Sequence, residues 1–219
     1  MNIKLVVFDM DGVLVKSKSS WEKLHRHFGV CAKENFIKYL NGEITYQEFM
    51  LLDTLLWFRS KSKIHRKEIE QVLLNEEFIE GAYETVKLIR KQGIRTMILT
   101  SGIDILAHYV SEKLGIDYVL ANSLVFDDEG YLVPGGIANV PLLDKDKVLR
   151  MWALKKNMDL HEIVYVGDSI YDILVFLSGV RSIAFTCDPY VAKWANISFC
   201  DEKLSNIGEY IVNLAFNNT

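Results

Sequence analysis

The feature that most constrains the fold is an alternation of short apolar runs with segments of helical spacing from residue 80 onward. Four runs are rich in β-favouring residues; they are 96–99, 118–121, 163–166 and 183–185. An earlier run ends at Phe8 without polar alternation, which is typical of a strand buried on both faces. Residues 124–133 predict a β-hairpin. Together these patterns predict an α/β fold, a doubly wound parallel sheet of Rossmann type with helices on both faces.

One block, residues 16–78, departs from this alternation. It contains four stretches of helical spacing and no convincing strand; the stretches are 20–28, 32–40, 45–58 and 64–74. Thr45 followed by Glu48 forms a capping box, which predicts a helix start. We expect this block to be a small α-helical cap domain inserted after the first strand. The α/β core then comprises residues 1–15 and 79–219.

Composition excludes several classes of protein. A chain of 219 residues can form one sizeable core with a small insertion. The formal net charge of −4 provides no basic field for nucleic acid, and no apolar run reaches the length of a membrane span. The three cysteines, Cys31, Cys187 and Cys200, are odd in number and far apart. They predict no disulfide framework and therefore a reducing, cytoplasmic location.

Polar side chains follow three of the predicted strands. Asp9 and Asp11 follow the first strand, Thr100-Ser101-Gly102 follows the next, and Gly167-Asp168-Ser169 follows a later one. Asp172 lies four residues beyond Asp168, and Lys145 begins a predicted helix. Because ligands of open α/β sheets bind at the carboxyl ends of the strands, we expect these groups to form one site.

The residue types at these strand ends indicate phosphoryl transfer. Several carboxylates around one point need a cation, and oxygen ligands favour Mg²⁺. A carboxylate such as Asp9 can attack phosphorus to form an aspartyl-phosphate. Asp11 is a candidate general acid and base. Ser101, the amide of Gly102 and Lys145 are candidate partners of the phosphoryl oxygens.

These four motifs resemble those of the haloacid dehalogenase-like phosphatases, in the family's order and over nearly the whole chain. Within that superfamily the chain looks similar to the phosphoserine phosphatase branch, helped by LGIDYVLANSLVFDDEG at 114–130. The resemblance implies Mg²⁺ held by Asp9, by the backbone carbonyl of Asp11 and by Asp168, with Asp172 in support. It also implies a small phosphorylated metabolite as substrate.

Three positions depart from the phosphoserine phosphatase pattern. Lys18 stands where that branch has a glutamate for the serine ammonium, Asp53 stands where it has an arginine for the serine carboxylate, and Tyr171 replaces an asparagine. Like charges that meet in a site disfavour binding. We therefore expect L-phosphoserine to be a poor substrate, and small phosphorylated acids or sugars without an amino group to be better ones.

The function predicted from the sequence is Mg²⁺-dependent hydrolysis of a small-molecule phosphate monoester by a monomer or homodimer. Two alternatives stay open. A phosphomutase or phosphotransferase would pass the phosphoryl group to a hydroxyl rather than to water. A catalytically silent binding protein could use the same fold, since a fold does not determine function.

Overall fold

Seven strands in the described part of the chain form one sheet in a computed structural model covering residues 3–200 and 203–216. Residues 1–2, 201–202 and 217–219 of the predicted core lie outside the described residues. The strands are β1 (Leu5–Phe8), β2 (Arg95–Ile103), β3 (Tyr118–Phe126), β4 (Leu132–Ile137), β5 (Ile163–Gly167), β6 (Arg181–Phe185) and β7 (Ile197–Phe199). The α-helices within the described residues are α1 (Ser20–His27), α2 (Lys33–Leu40), α3 (Tyr46–Trp57), α4 (Arg66–Leu73), α5 (Ala82–Lys91), α6 (Asp104–Leu114), α7 (Lys145–Lys155), α8 (Ile173–Phe176), α9 (Pro189–Ala192) and α10 (Ser205–Phe216).

The strand order is β4-β3-β2-β1-β5-β6-β7, with β1 in the middle. All neighbouring strands are parallel except β3 and β4. Phe8 at the end of β1 pairs in register with Ile98 of β2 and Val166 of β5. The segments that follow these three strands therefore leave the same edge of the sheet side by side. The predicted α/β fold is confirmed.

Strand β1 is buried on both faces, as its unbroken apolar sequence predicts. Val6 and Phe8 belong to one hydrophobic cluster and Leu5 and Val7 to another. Alternate side chains of a strand point to opposite faces, so each cluster covers one side of the sheet. Because β1 is held from both sides, the residues that follow it have a rigid support.

Helices α1 to α4 lie between β1 and α5 in the chain, as the helical spacing of residues 16–78 predicts. The capping box of Thr45 and Glu48 is confirmed at the start of α3. Leu24, Phe28 and Trp57 from this block share a hydrophobic cluster with residues of the sheet and its flanking helices. The division into a cap and a core at residues 16–78 stays a prediction.

The segment around Asn122 differs from the sequence prediction. The predicted hairpin at 124–133 is confirmed, because β3 pairs antiparallel with β4, but the strand predicted at 118–121 runs on without interruption to Phe126 and is itself the first strand of the hairpin. Asn122 lies inside β3 and is buried, and its side chain exchanges hydrogen bonds with the backbone of Val140. Tertiary partners therefore keep a polar residue inside the strand.

The prediction that the cysteines form no disulfide is wrong, because Cys187 is bonded to Cys200. Cys187 follows β6 and Cys200 follows β7, and these strands are neighbours in the sheet. Their Cα atoms lie 4.4 Å apart, although 13 positions separate them in sequence. Parallel pairing of the two strands is what brings the two cysteines together. Cys31 is free and exposed.

We expect reduction of this disulfide to lower the free energy of unfolding by about 2–4 kcal/mol, since the cross-link restricts the unfolded chain. The measurement is urea denaturation with and without a reductant. The double variant Cys187→Ser/Cys200→Ser should have the lower stability and no response to the reductant. Cys31→Ser is the matched control and should respond like the wild type. Equal stability of the reduced and oxidised proteins would contradict the prediction.

Across residues 3–200 and 203–216, none of the helices combines the length and the apolar character needed to cross a membrane.

Candidate active site

The residues that follow the three central strands line one cavity of about 660 Å³. Asp9 follows β1, Ser101 and Gly102 lie at the end of β2, and Asp168 follows β5. Lys145, the first residue of α7, lies on the same cavity. The structure thus brings together polar groups that are far apart in sequence, at the sheet edge where the strand order predicts them.

Lys145 joins two of the carboxylates. Its Nζ donates to Asp9 Oδ2 at 2.6 Å and to Asp172 Oδ1 at 2.9 Å, and all three residues are buried. Burial by itself would lower the pKa of Lys145, but the charges of Asp172 and Asp9 outweigh it and raise that pKa. The ammonium group is therefore charged and held in place.

Asp172 positions this lysine. The hydroxyl of Tyr165 donates to its Oδ1 at 2.6 Å, while the amides of Asp168 and Ser169 donate to its Oδ2 at 3.1 and 3.0 Å. Burial opposes ionisation, but the charge of Lys145 and these donors together lower the pKa of Asp172. A carboxylate with several donors on its two oxygens is fixed in orientation.

A metal ion fits the carboxylates of this cavity. Asp9, Asp168 and Asp172 each have a carboxylate oxygen within 4.8 Å of the others. Burial raises the pKa of Asp9 to about 7, opposed by Lys145 and assisted by the charges of Asp172 and Asp168. A bound cation would offset this repulsion and favour the ionised form. An all-oxygen donor set of carboxylates suits a hard divalent ion.

The side chain of Asp11 is not in this carboxylate group. Its Oδ2 accepts from the amide and the hydroxyl of Ser20 at 3.2 and 3.1 Å, and its Oδ1 accepts from the hydroxyl of Ser17 at 3.3 Å. Burial raises the pKa of Asp11 to about 6, although the hydrogen bonds from Ser20 oppose the rise. This carboxyl group can therefore carry or release a proton near neutral pH.

Gly102 approaches Asp11 and Ser20 so closely that a Cβ atom would collide with both side chains. Gly12 has a φ of +79°, and a Cβ atom there would collide with Asp168. Glycine at both positions is therefore required by the close approach of the three strand-end loops.

Ser101 presents a buried hydroxyl oxygen that has no hydrogen-bond partner among the described residues. Its carbonyl oxygen accepts three hydrogen bonds, from Trp21 Nε1 at 3.1 Å, the hydroxyl of Tyr46 at 3.2 Å and Asn122 Nδ2 at 2.8 Å. The backbone of Ser101 is thus fixed while its hydroxyl stays available. Buried polar groups are normally paired, so this hydroxyl indicates a missing ligand.

Lys18 lines the cavity beside the Asp168 carboxylate. Its Nζ is 2.7 Å from Asp168 Oδ2, and most of its side chain is exposed to solvent. Burial raises the pKa of Asp168, and the hydrogen bond from Lys18 opposes that rise. The positive charge of Lys18 is therefore balanced by Asp168.

Asp53 is buried on α3 and also lines the cavity. His25 Nε2 lies 3.1 Å from its Oδ2, and Asn35 Nδ2 donates to its Oδ1 at 2.9 Å. Tyr171 also lines the cavity, and its ring meets that of Phe36 edge to face with 6.3 Å between centroids. All three positions that depart from the phosphoserine phosphatase pattern thus face this cavity.

The model of the haloacid dehalogenase-like hydrolases matches residues 6–176 of the chain, from β1 to the end of α8. This range contains every group described above. The chain belongs to the haloacid dehalogenase-like hydrolases.

This haloacid dehalogenase-like hydrolase is similar to phosphoserine phosphatases over its length. The phosphoserine phosphatase of Methanocaldococcus jannaschii is 28% identical over 212 residues, which are 95% of this chain and 97% of that protein. A probable phosphoserine phosphatase of Schizosaccharomyces pombe is 29% identical over 88% of this chain and 64% of its own length. A substrate-bound phosphoserine phosphatase structure superposes with a TM-score of 0.77 at 26% identity, covering 96% of this chain and 99% of that one. The chain is therefore a phosphatase of this family.

Several residues that shape the site of this haloacid dehalogenase-like phosphatase were missed by sequence reasoning. Ser17 and Ser20 bind the Asp11 carboxylate, Tyr165 binds Asp172, and Tyr46 and Asn122 bind the Ser101 carbonyl. Tyr165 gave a weak signal, as a phenol inside an otherwise apolar strand run needs a buried partner. The others resemble ordinary surface or cap residues in sequence, so no local pattern distinguishes them.

Proposed function

We propose that this phosphatase hydrolyses a small phosphate monoester with Mg²⁺ through an aspartyl-phosphate on Asp9, and that its substrate-recognition residues differ from those for phosphoserine. The observation that best supports this proposal concerns the Ser101 hydroxyl, which has no hydrogen-bond partner among the described residues. It lies on the same cavity as the Lys145–Asp9 ion pair. A buried donor and a buried cation beside a carboxylate nucleophile suit a phosphoryl group.

In the first step, a carboxylate oxygen of Asp9 attacks phosphorus, and the bond from phosphorus to the leaving oxygen breaks. Asp11 gives its proton to that oxygen, so the alcohol leaves neutral. In the second step, Asp11 takes a proton from water, whose oxygen attacks phosphorus. The bond between phosphorus and the Asp9 carboxylate oxygen breaks, so inorganic phosphate leaves and the Asp9 carboxylate is restored. The pKa of Asp11, raised to about 6 by burial, suits both roles near neutral pH.

Lys145 and the hydroxyl of Ser101 bind and orient the phosphoryl oxygens in this proposal, and the amide of Gly102 joins them by exchanging its 3.0 Å hydrogen bond to Thr100 Oγ1 for one to the phosphoryl group. Asp172 holds Lys145 through the 2.9 Å ion pair, so it acts as a positioning residue. Asp9 and Asp168 would hold Mg²⁺, which supplies positive charge that offsets the charge of the phosphoryl oxygens when it is bound. Cysteine and histidine ligands, which softer metals favour, are absent from the carboxylate group that could hold an ion.

The test of the reaction is release of phosphate from p-nitrophenyl phosphate in the presence of Mg²⁺. Turnover supports a phosphatase over a silent binding protein. Release of p-nitrophenol that rises several-fold with an added alcohol, with a new phosphate ester formed in place of inorganic phosphate, would instead support a phosphotransferase. A folded protein without turnover would contradict the proposal.

L-Phosphoserine should be a poor substrate because Asp53 faces the cavity where the phosphoserine phosphatase pattern has an arginine. We expect its kcat/KM to be lower by about tenfold or more than that of phosphoethanolamine, which lacks only the carboxylate, since like-charge contacts can cost several kcal/mol. The measurement is the ratio of the two values under saturating Mg²⁺. A preference for L-phosphoserine would show that another residue binds its carboxylate.

A further inference from the structure

Asp53 is a buried carboxylate that has no lysine or arginine partner among the described residues. Its side chain is only 2% exposed. The described hydrogen bonds to it come from His25 and from the amide of Asn35. A buried carboxylate is stable only with compensation, and neutral donors compensate it in part.

A third residue, Trp57, fixes the hydrogen-bonding role of each ring nitrogen of His25. Trp57 Nε1 lies 2.8 Å from His25 Nδ1, and both side chains are buried. An indole N–H can only donate, so Nδ1 accepts and carries no proton. The ring proton is therefore on Nε2, which donates to Asp53. The negative charge of Asp53 stays unbalanced at the cavity wall.

Aromatic rings line the cavity between Asp53 and the carboxylates that would hold the metal. Phe49 lies four residues before Asp53 on α3 and shares its helix face. Its ring is 6.0 Å from that of Phe36, which in turn is 6.3 Å from Tyr171 beside the Asp168 loop. Aromatic faces attract cations, and such rings beside a carboxylate suit an ammonium group.

The cations that also line this cavity do not balance Asp53 directly. Lys18 is paired with Asp168, while Arg26 and Lys33 are exposed to solvent. Water and salt screen exposed charges, whereas a buried carboxylate keeps its field. Lys18 Nζ lies 2.7 Å from Asp168 Oδ2, so its charge acts beside that carboxylate rather than beside Asp53.

We propose that the substrate of this phosphatase is a phosphate monoester whose leaving group carries an ammonium and no carboxylate, and that Asp53 binds this ammonium. The inference rests on the proposed hydrolysis at Asp9. The cavity then has two ends of different charge. Lys145 and Ser101 receive the phosphoryl group. Asp53, positioned by His25 and Asn35, receives the cation. The rings of Phe36, Phe49 and Tyr171, which we call the aromatic wall, line the cavity between the two sites.

The experiment compares kcat/KM for three esters with Mg²⁺: phosphoethanolamine, phosphocholine and 2-hydroxyethyl phosphate. The last replaces the primary ammonium with a hydroxyl at nearly the same size. We expect at least one ammonium ester to exceed the hydroxyl ester by about tenfold or more, because a charged hydrogen bond or ion pair is gained. The better of the two ammonium esters tells whether N–H donation or the aromatic wall contributes more.

Asp53→Asn removes the charge at nearly constant shape, and we expect the preference for ammonium to fall to about the level of the hydroxyl ester, chiefly through KM. Glu22→Gln is the matched control, because Glu22 is a second carboxylate on the cavity but is exposed. It should retain the preference. A preference that survives Asp53→Asn would overturn the role of Asp53.

If Asp53→Asn does not fold, the kcat/KM values of the wild type for the three esters still test the inference. Equal values for all three esters, or a preference for the hydroxyl ester, would overturn it. Hydrolysis of p-nitrophenyl phosphate separates this failure from failure of the proposed function. If that ester is hydrolysed while ammonium esters are not preferred, only the substrate inference is wrong.

Discussion

Asp9→Asn should abolish turnover of p-nitrophenyl phosphate, lowering kcat by about 10⁴- to 10⁶-fold, as loss of a catalytic nucleophile typically does. An amide oxygen is too weak a nucleophile to replace the carboxylate. The fold should persist, because asparagine has nearly the same shape and Lys145 keeps its ion pair with Asp172. In this variant the buried Lys145 faces one carboxylate, that of Asp172, instead of two, so the charges of the pair are balanced. The measurements are kcat for p-nitrophenyl phosphate, determined on one preparation of each protein, and the thermal unfolding midpoint of each protein.

Asp104→Asn is the matched control for this variant. Asp104 begins α6, two residues beyond Gly102, and its Oδ1 accepts a hydrogen bond from the Ile105 amide outside the cavity. Its activity should equal that of the wild type. Beryllofluoride, which mimics a phosphoryl group on a carboxylate, should bind the wild type and not Asp9→Asn. Substantial turnover by pure Asp9→Asn would refute the aspartyl-phosphate.

Removal of divalent metal should lower phosphate release by about a thousandfold or more, since a bound cation supplies several kcal/mol of charge stabilisation. Asp9 and Asp168 otherwise repel each other and the incoming phosphate monoester. Activity should return when Mg²⁺ is added in excess of the chelator. Titration calorimetry should show Mg²⁺ binding to the wild type and much weaker binding to Asp168→Asn.

Ca²⁺ should bind without restoring activity, because it accepts more ligands and a looser geometry than Mg²⁺. A carboxylate nucleophile that is bound through both oxygens would lose its attack geometry. Asp104→Asn again serves as the control, with wild-type affinity for both ions. Full activity in excess chelator would contradict the metal requirement.

The main part of the fold and the centre of the candidate site could be predicted from sequence, because both depend on local patterns. The apolar sequence of β1 reflects burial on both faces, and helix signals such as the capping box of Thr45 and Glu48 depend on residues a few positions apart. Parallel topology then requires Asp9, Ser101 and Asp168 to lie at one sheet edge. The site could thus be located before any contact was known.

Other features depend on residues that are distant in sequence, and no local pattern predicts them. The Cys187–Cys200 bond arises only once β6 and β7 are paired, and Asn122 stays inside β3 only because the backbone of Val140 binds its side chain. Ser17 and Ser20 are only six and nine positions from Asp11, but they reach its carboxylate because α1 and the loop before it bring them to the strand end. Such contacts are properties of the packed structure.

The charged residues that we propose recognise the substrate illustrate the same division. The resemblance to phosphoserine phosphatases, read from the sequence, predicted that Lys18 and Asp53 stand where that branch has residues of opposite charge. Only the tertiary structure decided that Lys18 Nζ lies 2.7 Å from Asp168 while Asp53 is buried against His25 and Asn35. A charge acts through its distance to other charges and its exposure to water, and both are set by packing.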